Sequence, residues 1–84
     1  VNRFLVLVMR TPQFDASLGP AHKVFLDELR AQGRLELSGP FADASGGAYL
    51  MRASSLEEAR ADALRDPLHL HGSSTVIVHE WHAA

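Results

Sequence analysis

The chain has 84 residues, with eight Lys and Arg against ten Asp and Glu, five His and no Cys. The lack of cysteine excludes disulfide staples, thiolate metal sites and thiol nucleophiles. A net charge of −2 leaves no basic surplus for phosphates and argues against nucleic-acid binding.

Asn2 to Met9 reads as a strand, short and apolar. Thr11 to Gly19 is polar, contains Pro12 and reads as a loop. Pro20 suits the first turn of a helix over Ala21 to Gln32, whose apolar stripe is Phe25, Leu26 and Leu29. Gly33 stops it. Arg34 to Ser38 alternates as a half-buried strand that Gly39-Pro40 ends. Asp43 to Gly47 is turn chemistry, and Ala48 to Ala53 is a third strand. Ser54 with Glu57 forms a capping box opening a helix over Ser55 to Arg65, with Leu56, Ala59, Ala63 and Leu64 on its inner stripe. Pro67 stops that helix. After a loop over Leu68 to Ser73, Ser74 to Trp81 is the fourth strand.

The order βαββαβ predicts one domain over residues 1–84. Its fold class is α+β, a ferredoxin-like sandwich with a four-stranded antiparallel sheet and both helices on one face. A sheet covered on one side alternates apolar and polar residues. The first strand does not: Phe4, Val6 and Val8 point one way, and Leu5, Leu7 and Met9 the other. The fourth strand sets Ile77 and Trp81 against Val76 and Val78. The second face is therefore expected to pack on the same face of a second copy, giving a homodimer. A lone domain of this size buries only a little over about 60% of the surface its unfolded chain exposes, so its stability is thin, which favours the same outcome. No apolar run reaches the ~18 residues of a membrane span. Phe4 to Met9 is too short for a signal core, so a cytoplasmic protein is expected.

Connectivity brings distant residues to one rim of the sheet. The end of the first strand, the start of the first helix, the end of the second strand and the end of the second helix meet there. They carry Arg10, His22, Ser38-Gly39-Pro40 and Asp66. His22 precedes Phe25, Leu26 and Leu29 by three, four and seven residues, so it lies on the apolar stripe. An imidazole at a cavity mouth suits proton transfer. Asp66, placed in the last turn of the second helix, opposes the helix dipole, which points to another use such as orienting an imidazole. Taken singly, a half-buried histidine and an Asp-Pro turn account for either residue. His69 and His71 have the spacing of two metal ligands with Asp66 as a third, but loop solvation explains them better, and no metal is assigned. His79 and His82 fall at the opposite rim. No serine has a hydrolase context, Gly46-Gly47 does not open a helix as a phosphate cradle would, and the third strand lacks an RNA-binding signature.

The series His22, Gly33-Arg34-Leu35, Ser38-Gly39-Pro40, Asp43 to Gly47, Ser54-Leu56-Glu57-Glu58-Ala59 and Asp66-Pro67 resembles the YciI-like (YCII-related) family, from the first strand to Trp81. The resemblance implies a fold similar to the dimeric α/β barrel proteins, a homodimer with its sheets face to face, and an active site of His22 and Asp66. Many relatives carry an arginine just before the helix-one histidine. Here Gly19-Pro20-Ala21 stand there, and Arg10 is the candidate replacement. The family includes a dehydrochlorinase acting on a chlorinated hydroxyhydroquinone. The resemblance therefore implies a cofactor-independent enzyme of lyase or isomerase type, moving protons on a small cyclic or phenolic compound. His22 is the expected acid/base, Asp66 its orienting partner, and Arg10, Ser38 and Gly39 the substrate-binding groups. The alternative is a non-catalytic dimer module that holds a small metabolite. A third reading is a small oxygenase of the related barrel type, for which the sequence shows no cofactor site.

Overall fold

A computed structural model describes residues 2–84. Its strands are β1 (Asn2–Arg10), β2 (Leu35–Pro40), β3 (Gly46–Ala53) and β4 (Ser74–Glu80). Its α-helices are α1 (Gly19–Ala31), α2 (Leu56–Ala63) and α3 (Pro67–Leu70), and a 3-10 turn at Ala16–Leu18 leads into α1. The strands form one sheet in the order β2-β3-β1-β4 with every neighbour antiparallel. This is the ferredoxin-like α+β arrangement.

The two sides of the sheet differ. Phe4, Val6 and Val8 of β1, Tyr49, Met51 and Ala53 of β3, and Val78 of β4 are buried under the helices. Phe25 and Leu29 descend from α1, and Ala59 and Ala63 from α2. Alanine at both of these wholly buried positions lets α2 lie close to the sheet. The other side is left without a helix. There Leu7 sits between Ala48 and Ile77, and Leu5 between Leu50 and His79. Leu37 is 70% and Ile77 44% exposed on that side. Glu36 joins Arg3 and Arg52 across the far end of the sheet.

Several boundaries differ from the sequence reading. Helix α1 ends as predicted: Gly33 takes a positive φ of 72°, its N–H bonds to Arg30 O and the N–H of Arg34 to Leu29 O. The N-cap of α2 is Ser55, which accepts from the N–H of Glu58. Ser54 and Ser55 each have a glutamate three residues on, so the pattern fits either. Gly39-Pro40 and Gly46-Gly47 do not break their strands but extend them: Gly39 pairs with Ala48 and Pro40 with Gly47 across β2 and β3, and Gly46 pairs with Met9 of β1. Glycine is required at Gly46 because a Cβ would run into the carbonyl oxygen of Val8 and lie 2.9 Å from Met9 Cα. A Cβ at Gly47 would likewise lie 2.6 Å from the Gly39 carbonyl oxygen. Helix α2 stops at Ala63 rather than Arg65, and the predicted loop after Pro67 contains the single turn α3.

Candidate functional site

At the rim where β1 and β2 end and β3 and β4 begin lies a cavity of about 420 Å³. That volume falls in the range of small-molecule sites. Val8, Leu26, Leu68 and Phe14 give it apolar walls, and Arg10, His22, Ser38 and Gly39 reach it from three segments of chain. With Pro40, which also lines the cavity, these are the residues other than Asp66 that connectivity places on one rim. Asp66 lies behind His22. It is wholly buried and does not line the cavity.

Asp66 Oδ2 is 2.8 Å from Nδ1 of His22, whose side chain is 23% exposed. A carboxylate has no hydrogen to give, so Nδ1–H donates to it. In the neutral ring this bond selects the tautomer that leaves the lone pair on Nε2, the form a proton acceptor needs. Oδ1 accepts from the N–H of Leu68 at 2.9 Å. Asp66 is thus the N-cap of α3, with Pro67 at the first helical position. This corrects the sequence reading. Asp66 does not oppose a helix dipole at the end of α2 but sits at the favourable end of the next helix.

Arg10 is exposed, and its guanidinium carbon stands 4.0 Å from the centroid of the Phe14 ring. The loop that carries Phe14 is tied down at both ends. Thr11 Oγ1 donates to Gly72 O at 2.7 Å, Thr11 N–H to Ser73 O, and Asp15 N–H to Oγ of the wholly buried Ser73.

Sequence reasoning missed two cavity residues. Phe14 lay in a predicted loop, where only its aromatic character set it apart. Tyr49 fell inside the predicted third strand, where nothing singled it out. Its ring packs edge-on against Phe25, but its hydroxyl is buried with no hydrogen-bond partner among the described residues. Burial, helped by the charges of Asp66 and Asp62, pushes its phenol above the ordinary tyrosine range. His69 and His71 do not gather with Asp66: among the described residues no three His, Cys, Asp or Glu side chains converge as a metal site would need. Among the described residues no helix is long and apolar enough to cross a membrane.

The fold and the cavity define a small ferredoxin-like α+β protein with a histidine–aspartate pair at one end of its sheet. Within that class, the model of the YCII-related domain matches residues 3–82, and the chain belongs to that family. It is 47% identical over 78 residues to YjpA of Bacillus subtilis (strain 168), an uncharacterized protein, covering 93% of this chain and 92% of the relative. A solved structure of similar fold is 5-chloro-2-hydroxyhydroquinone dehydrochlorinase (TftG) from Burkholderia phenoliruptrix AC1100, in complex with 2,5-dihydroxybenzoquinone. It is 24% identical, with a TM-score of 0.76 over 98% of this chain and 95% of that one.

Proposed function

We propose that the cavity carries out cofactor-independent proton transfer, of lyase or isomerase type, on a small cyclic or phenolic compound. The observation that carries this reading is the 2.8 Å contact between wholly buried Asp66 and the cavity-lining His22. Asp66 holds Nδ1–H, and Nε2 takes a proton from the bound compound and returns one to it or to its product. A base placed in this way contributes about 10²–10⁴-fold, and positioning supplies the remainder. Arg10 and the Ser38-Gly39 segment hold an anionic or phenolate oxygen at the rim. The similar fold of a dehydrochlorinase that binds a dihydroxybenzoquinone supports the choice of compound. The reading includes a cytoplasmic homodimer in which the uncovered leucine face meets its copy.

Exchange of ring hydrogens for deuterium tests the proton step without knowledge of the full reaction. With 2,5-dihydroxybenzoquinone in D2O, the protein should accelerate exchange seen by proton NMR, and His22→Gln should return it to the uncatalysed rate. Binding with no acceleration would leave only a module that holds a metabolite. Equal acceleration by His22→Gln would remove His22 from the chemistry.

A further inference from the structure

The arginines of this chain are mostly committed. Arg3, Arg30, Arg34, Arg52 and Arg65 each pair with a carboxylate. Arg10, the arginine at the cavity mouth, has none among the described residues. Its guanidinium lies instead over Phe14, 4.0 Å from the ring centroid. Attraction between a cation and an aromatic face holds the group without neutralising it. The N–H groups of a guanidinium so held remain available as a planar fork, which matches two oxygens of an anion. Phe14 can hold that position because Thr11 and Asp15, on either side of it, are bonded to Gly72 and Ser73. Beyond the lip, Val8, Leu26 and Leu68 offer apolar surface to the body of a ligand. The protein as a whole carries a net charge of −2, so any preference for an anion must arise locally.

We propose that Arg10 and Phe14 form a recognition lip that selects a planar ring bearing an oxyanion over the neutral ring of the same shape. The oxyanion is a ring carboxylate, which gives the fork two oxygens in one plane, or a ring-bound oxide, which gives it one charged oxygen that both N–H groups can share. Arg10 reads the charge and Phe14 is the positioning residue that keeps the guanidinium at the mouth. The proposal rests on the reading that the cavity takes a small ring, and it adds which ring is retained.

Benzoate and benzamide share size and shape and differ in charge, so titration calorimetry with the full chain separates charge from fit. Benzoate should bind about tenfold tighter, the order of one charge-assisted contact at a solvent-facing position. Arg10→Gln should bring the two affinities together by weakening benzoate alone. Phe14→Leu should lower benzoate affinity severalfold with benzamide little changed, and Phe14→Tyr, which restores an aromatic face, should recover it. A parallel titration with 4-nitrophenolate and 4-nitroanisole separates the ring-bound oxide from the carboxylate. A preference confined to one pair names the anion. Equal binding of charged and neutral partners in both pairs, or a preference that survives Arg10→Gln, overturns the lip while leaving the ring-binding cavity intact. Absence of binding by all four compounds overturns both the lip and the small-ring reading beneath it.

Discussion

Replacing Asp66 with asparagine changes one charge and almost no volume, at a residue with no exposed surface. Asparagine caps helices about as well as aspartate, so its Oδ1 can keep the N–H of Leu68. The amide nitrogen then faces Nδ1 of His22 where Oδ2 stood, and it too is a donor. Two donors cannot share that bond. The imidazole proton must move to Nε2, leaving Nδ1 to accept. The folded state exchanges a charge-assisted hydrogen bond of about 1.5–3 kcal/mol for a neutral one of about 0.5–1.5 kcal/mol, a net loss near 1 kcal/mol. For a chain of this length that lowers the melting temperature by about 4–8 °C. Asp66→Ala also removes the cap, worth about 1 kcal/mol, so its loss approaches about 3 kcal/mol. Nitrogen-15 spectra of the His22 ring distinguish a bare from a protonated nitrogen, and melts at matched protein concentration give the stability. The reasoning fails if Asp66→Asn keeps the proton on Nδ1, or if it melts with the parent.

Two further outcomes follow from the core and the open face. Tyr49→Phe removes a buried hydroxyl that has no partner among the described residues, so the protein should melt at or above the parent temperature near neutral pH; a drop of several degrees would show that the hydroxyl is bonded after all. Because the folded phenol is raised above its unfolded value of about 10, its contribution to stability is complete below that pH and is lost as pH rises beyond it. Alkaline unfolding of Tyr49→Phe should accordingly begin at higher pH, and coincident alkaline curves would assign that limb to other groups. Leu7→Glu places a charge between Ala48 and Ile77 on the uncovered face. A homodimer at micromolar concentration should dissociate or unfold on this change, since an unpaired charge in an interface is strongly unfavourable. A parent protein that scatters light as a monomer would refute face-to-face assembly.

The sequence carried the architecture because its signals were redundant. The apolar run of β1, the stripe of α1 and Gly33 each mark an element of the same arrangement, and antiparallel connectivity then brings Arg10, His22, Ser38 and Asp66 to one rim. The reason offered for Asp66 was wrong although its position was right. Asp-Pro-Leu has the N-cap and first-turn proline of a helix start, yet α3 has only four residues and too little periodicity to stand out from a loop. Gly39-Pro40 and Gly46-Gly47 look like turns because the reason for their glycines, backbone pressed on backbone across strands, exists only in the fold. Tyr49 and Phe14 were illegible for a similar reason. A pattern gives the side of a strand on which a tyrosine lies, but not whether its hydroxyl finds an acceptor.

One carboxylate closes the short helix α3 with one oxygen and holds the His22 ring with the other. A single turn of helix has little persistence of its own. Each transient opening of that turn therefore loosens the imidazole, and each loss of the imidazole contact leaves the turn less protected. Hydrogen exchange at the Leu68 amide would follow the readiness of a side chain 46 positions away in the sequence. The same sharing constrains how such a protein can diversify. Ser38, Arg10 and Phe14 are open to change with the compound bound, whereas any alteration of Asp66 is felt at once by the backbone and by the base.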